Sequence, residues 1–172
     1  MRTGKVLLAA AAIASLLALS SVNVFADGNV QWAVMSQAQR NQEIVWRAWQ
    51  DIGKSGGECK EWVQNKVAQA SYGHVWLPLN NPSPDYYWVY DPHQHAIWMS
   101  MSIESAQPGN VIQMHLKSTN GPHTAIVYAV NSSGMTLIES NFWNHDGIVH
   151  VRTVSFSDFK TQVSAYTVYP IH

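Results

Sequence analysis

The spacing of apolar residues changes period along the chain. From about Ser36 to Ile52 they recur every three or four positions, at Ile44, Val45, Ala48, Trp49 and Ile52, which predicts an amphipathic helix. Ser36 and Gln39 form a capping-box pattern at its start, and Gly53 stops it. Ser55-Gly56-Gly57 reads as a loop. A second helix is expected over 59–70, with Cys59, Trp62, Val63, Lys66, Val67 and Ala70 on one stripe; the Lys66 stem lies along its edge. Gly73 closes it. Between Pro78 and Pro108 the pattern is irregular, and four prolines (Pro78, Pro82, Pro84 and Pro92) forbid long helices there. After Gly109 the period becomes two. Strands are expected at 111–116, 123–130, 135–140, 148–154 and 165–169, with a turn at Asn131-Ser132-Ser133-Gly134 and a short helical turn at 156–159. Helices followed by a run of antiparallel strands predict an α+β domain with helices packed on one side of a sheet.

The N-terminal segment stands apart. Arg2 and Lys5 precede an almost wholly apolar stretch from Val6 to Leu19, and Val24-Phe25-Ala26 supplies small residues where a signal peptidase cuts. Residues 1–26 therefore read as a secretory signal peptide, and 27–172 as a single domain. No later stretch approaches the roughly 18 apolar residues of a membrane span. The expected location is secreted or periplasmic. A formal net charge of −1 offers no steering field for nucleic acid. Eight Trp and seven Tyr are many for this length. Some belong to the core, but an aromatic surplus also suits a cleft that stacks on sugar rings. Trp62, Trp88, Trp98 and Trp143 are the candidates for substrate contact.

Exported proteins normally use cysteines in pairs, and this chain has one, Cys59. Gly56-Gly57-Glu58 lead into it and a helix begins at it, where a thiolate is stabilised. A thiol nucleophile needs a base, and the base an orienting partner. His123 opens a strand just after the Asn120-Gly121-Pro122 turn. In a hairpin centred on 131–134, position 141 or 142 lies opposite it. Asn141, or Glu139 one pair further in, is placed to accept the imidazole N–H. The order Cys, His, polar acceptor is that of papain-like sites. His145, just beyond Asn141, is a rival partner. His93 and His95, two apart with Asp91 near, have spacing that suits zinc but no third ligand in register. Neither a metal nor a cofactor is expected.

Four short stretches resemble the signatures of CHAP-type cysteine amidases and peptidases, which belong with the NlpC-type cell-wall hydrolases in a papain-like superfamily. They are Gly57-Glu58-Cys59-Lys60-Glu61-Trp62-Val63, Pro108-Gly109-Asn110-Val111-Ile112, His123-Thr124-Ala125-Ile126-Val127 and Ile138-Glu139-Ser140-Asn141. Their order and separations carry the resemblance, which covers about Ile44 to Tyr169. Such domains usually have Asp where this chain has Asn110. The resemblance implies a papain-like fold, Cys59 as nucleophile, His123 as base, and Glu139 and Asn141 as the polar partners.

The function this predicts is hydrolysis of an amide bond in peptidoglycan by a monomeric thiol enzyme, through a thioester. Two rivals stand beside it. The thioester could pass to an acceptor other than water, making an acyltransferase. Alternatively, the domain is a non-catalytic wall- or glycan-binding module in which Cys59 is incidental.

Overall fold

The computed structural model describes residues 28–77, 102–142 and 145–172. Three helices come first: α1 (Gly28–Val34), α2 (Gln37–Trp49) and α3 (Cys59–Ala70). A 3₁₀ turn at Ile103–Ser105 leads to β1 (Val111–Leu116), β2 (Gly121–Val130), β3 (Gly134–Ser140) and β4 (Val149–Ser155). Helix α4 (Phe156–Gln162) and strand β5 (Val163–Tyr169) follow. The five strands form one antiparallel sheet in the order β4-β3-β2-β1-β5. This is the expected α+β, papain-like architecture. Helix α1 lies in a stretch where the pattern predicts no helix; its Trp32 is buried in the core.

The local signals behave as their chemistry requires. The Ser36 side chain accepts the Gln39 N–H (3.3 Å), and the Gln39 side chain accepts the Ser36 N–H (2.8 Å), completing the capping box. On α2, Ile44 and Ala48 point inward, while Trp46 and Trp49 stay on the outer surface. The helix ends sooner than its apolar pattern suggests, and Ile52 is partly exposed in the turn beyond. Lys66 on α3 is buried, and its ammonium reaches the Asp51 carboxylate at 2.5 Å. That ion pair removes the cost of burying an isolated charge.

Both faces of the sheet are covered. Val111, Ile126, Ile138 and Val149 pack against Ile44, Ala48, Val63, Val67 and Ala70 of the helices. The opposite face carries Ile112, Met114, Ala125, Val127, Leu137 and Val154, covered by Phe159 of α4 and by Ile103. Double coverage explains why Ala125-Ile126-Val127 of β2 reads as an unbroken apolar run instead of an alternation, Ile126 facing one layer and its two neighbours the other. Each Val, Leu, Ile, Met or Phe in these layers contributes about 1.5–3 kcal/mol on burial, and the two layers fix the sheet as a rigid support. Among the described residues, no helix is long and apolar enough to cross a membrane.

Candidate active site

Cys59 is the first residue of α3, and the loop before it is fastened to the sheet by backbone bonds. Gly53 N–H donates to Val149 O (2.9 Å) and Val149 N–H to Lys54 O (2.9 Å). Gly56 and Gly57 N–H both donate to Gly147 O, at 2.8 and 3.0 Å. Ser140, the last residue of β3, donates its hydroxyl to Gly57 O at 2.7 Å. Gly56 has no side chain because there is no room for one. A Cβ there would lie 2.5 Å from Ser140 Oγ, 2.7 Å from Val149 Cγ2 and 2.9 Å from Trp62 Cδ1. The loop thus has one seat, and that seat delivers the thiol to the end of the sheet.

His123 stands on β2, two pairs in from the end of the β1–β2 ladder, with Met114 opposite. It is only 3% exposed. Its Nε2 meets Glu139 Oε2 at 3.1 Å, and the imidazole also hydrogen-bonds the Cys59 thiol. With Nε2 held by the carboxylate, Nδ1 is the nitrogen left to face sulfur. Burial alone would push the imidazole pKa down. The hydrogen bonds to Cys59 and Glu139, with the negative charge on both, outweigh it and raise the pKa from 6.5 to about 9.

Glu139 is fully buried on β3. Burial would raise its carboxyl pKa, but hydrogen bonds from His123 and Arg152, with their charges, hold it below the ordinary value. Arg152 of β4 donates Nε–H to Oε1 and Nη2–H to Oε2, the latter at 3.1 Å. Phe142 closes one side: its ring centroid is 4.1 Å from the Arg152 guanidinium carbon and 5.2 Å from that of His123. The result is a continuous polar chain, Cys59–His123–Glu139–Arg152, crossing from a helix N-terminus through three adjacent strands. Beside the thiol, burial lowers the Lys60 ammonium pKa while the charge on Cys59 opposes that.

Three of the residues singled out in the sequence therefore meet: Cys59, His123 and Glu139. Asn141 does not join them. Its backbone is left-handed (φ 61°), which turns its side chain out of the strand's alternation. Its Oδ1 accepts the Gly147 N–H (3.0 Å), and its Nδ2 donates to Glu58 Oε2 (3.3 Å). It fastens the loop before Cys59 instead of bonding the imidazole. Trp62 is likewise corrected from substrate contact to core. It is 2% exposed, packs with α2 and the sheet, and donates Nε1–H to Asp51 at 3.2 Å. Trp88, Trp98 and Trp143 lie outside the described residues, as do His93 and His95. His145 sits exposed in a left-handed turn (φ 54°); the imidazole bonded to Cys59 is that of His123.

Arg152 was not among the candidates. Its signal is its phase: in Val149–Ser155 it shares a side with Val154, which is buried, so a charged residue there points inward. Among the described residues, no group of three or more His, Cys, Asp or Glu side chains could hold a metal ion.

No protein-family model and no curated protein matches the chain. Solved structures do. Ly7917, crystallised with the hydrolyzing product of MDP, superposes with a TM-score of 0.55 at 18% identity, over 76% of this chain and 62% of that one. Another Ly7917 crystal structure aligns over the same shares, with a TM-score of 0.49 at 17% identity. This chain thus aligns with less than two-thirds of Ly7917. At this identity the likeness of the first structure is one of fold.

Proposed function

We propose that the chain is an exported thiol hydrolase that cleaves an amide bond in peptidoglycan. The observation that carries this reading is the single cysteine, placed at a helix N-terminus and hydrogen-bonded to an imidazole whose other nitrogen is held by a buried carboxylate. That arrangement suits a thiolate–imidazolium pair. The fold shared with Ly7917 supports the substrate class, because MDP, muramyl dipeptide, is a fragment of peptidoglycan. Residues 1–26, read as an export signal, would bring the enzyme to that substrate.

In this mechanism the Cys59 thiolate attacks the amide carbon, forming a C–S bond. His123 gives its proton to the departing nitrogen as the C–N bond breaks. Water then loses a proton to His123 and attacks the thioester, and the C–S bond breaks to return the thiolate. The oxyanion is met by backbone N–H groups at the start of α3, that of Cys59 first among them. Glu139 holds the imidazole in the orientation that presents Nδ1 to sulfur and stabilises its positive charge.

Digestion of purified peptidoglycan, with products identified by mass, tests the reading. Native protein is expected to release fragments cut at one amide type, and Cys59→Ala to release none while retaining the native melting temperature. Turnover by Cys59→Ala, or none by native protein, refutes it. Binding without turnover by both would instead mark a wall-binding module.

A further inference from the structure

The thiol–imidazole–carboxylate chain does not end at Glu139. That carboxylate is wholly enclosed, and a bare carboxylate in such a place takes up a proton instead of remaining charged. It stays charged here because both oxygens are engaged. Oε1 receives Arg152 Nε–H, while Oε2 is shared between Arg152 Nη2–H and His123 Nε2. Arg152 is itself nine-tenths buried, and among the described residues its side-chain hydrogen bonds go to Glu139. Its cationic plane is covered by the Phe142 ring, which also packs on His123. The groups facing Glu139 are thus His123 from β2 and Arg152 from β4, with Cys59 beyond the imidazole. His150, opposite Glu139 in register, is turned outward onto Asp146 (2.9 Å). Asp158 and Gln162 of α4 line a shallow cleft that Arg152 also borders.

We infer that Arg152 is a positioning residue for the Cys59–His123 pair: its guanidinium fork holds the buried Glu139 carboxylate charged and in place, and through it keeps the proton on the imidazole and the negative charge on sulfur. Its guanidinium grips Glu139 and not the sulfur, so its effect on the thiol passes through that carboxylate. A lysine offers the charge without the planar two-point grip, so it replaces the function in part. The inference rests on the thiol-hydrolase reading, but its test can be made without substrate.

The experiment follows the rate of Cys59 alkylation by iodoacetamide against pH in the full chain. The proteins are native, Arg152→Met, Arg152→Lys, Glu139→Gln and the double variant Arg152→Met/Glu139→Gln, with melting temperatures measured alongside. The native thiol is expected to react with a midpoint well below the ordinary value of about 8.5. Arg152→Met is expected to raise that midpoint by about one unit or more, and Arg152→Lys by less. The double variant is expected to match Glu139→Gln alone, because both changes act on one path. On substrate, the loss in Arg152→Met is expected in kcat, with KM little altered.

A lowered melting temperature with an unchanged midpoint in Arg152→Met overturns the inference and makes the residue a structural one. A midpoint in the double variant that exceeds the Glu139→Gln shift by the full Arg152→Met shift also overturns it. Should Arg152→Met not fold, Arg152→Lys decides: a raised midpoint supports the role, and a native one refutes it. An ordinary midpoint in the native protein removes the activated thiol itself, which is the failure of the hydrolase reading.

Discussion

Replacing Gly56 by Ala tests whether the seat of the loop before Cys59 is as tight as its geometry implies. The added methyl would enter at 2.5 Å from Ser140 Oγ, 2.7 Å from Val149 Cγ2 and 2.9 Å from Trp62 Cδ1. Comfortable contacts between such atoms lie near 3.5–4.0 Å. Each neighbour would have to retreat by roughly an ångström, and all three are buried in different elements. Ser140 cannot move without stretching its 2.7 Å bond to Gly57 O. Overpacking of this kind costs about 1–3 kcal/mol and the lost hydrogen bond about 1 more, together about 2–4 kcal/mol. For a domain of this size that corresponds to a fall in melting temperature of about 5–15 °C. Because Cys59 is three residues on, the displaced loop also carries sulfur away from His123, and a misplacement of about 1 Å can cost on the order of a hundredfold in rate. Gly53→Ala is the control. Its φ of 79° makes Ala strained, but nothing lies within 4 Å of the new methyl. It should cost about 1–2 kcal/mol and leave alkylation of Cys59 at the native rate. Calorimetry and the alkylation rate read both variants. A Gly56→Ala protein that melts within a degree of native and alkylates normally would show that the loop is not clamped between β3, β4 and α3.

Other outcomes follow from the same geometry. Asn141→Ala should lower stability by about 2 kcal/mol, through two lost hydrogen bonds and a left-handed backbone, and reduce kcat less than tenfold by roughly that loosening of the loop; urea titration and steady-state kinetics check both. Glu139→Gln should lower kcat/KM by on the order of 10²–10⁴, and an equal effect from Asn141→Ala would overturn the assignment of Glu139 as the orienting group. The Glu139 carboxyl is held below its ordinary 4.5 in the folded chain, so its stabilisation is complete above that value and is lost as pH falls through the lower folded pKa. Glu139→Gln should therefore be less stable at neutral pH but flatter in its acid limb, by denaturation at stepped pH. The imidazolium of His123, raised to about 9, should keep its proton through neutrality, so kcat/KM should decline only as pH rises through about 9; a decline centred near 6.5 would contradict the coupling to Cys59 and Glu139.

Much of this arrangement was legible in the sequence because it rests on short-range rules. The Ser36–Gln39 box, the helix beginning at Cys59 and the hairpin turn at 131–134 each follow from local chemistry. The β2–β3 register, Ile126 opposite Ile138, extends to place Asn141 across from His123, as the turn length predicts. What pattern alone does not carry is the left-handed twist at Asn141, which removes that side chain from the pair and leaves Glu139, on the same side as Leu137, to reach the imidazole diagonally. Trp62 misled for another reason. Its place on the inner stripe of α3 already marked it as core, and only the aromatic count suggested substrate contact. Arg152 carries no such signal of a site, because an arginine in a strand is ordinarily solvated; the pairing of β4 with β3 is what brings it over Glu139. The Pro- and aromatic-rich segment after Leu77 lies largely outside the described residues, and the substrate contacts expected there stay with it.

The sulfur and its imidazole are separated by some sixty positions of polypeptide, and the carboxylate by a further turn and strand. None of the three can find the others through nearby residues. On the proposed function, an unfolded chain would bear an ordinary thiol, and its activation would await closure of the long-range contacts that are slowest to form. The final stage of folding would then also be the moment at which the proposed chemistry is switched on.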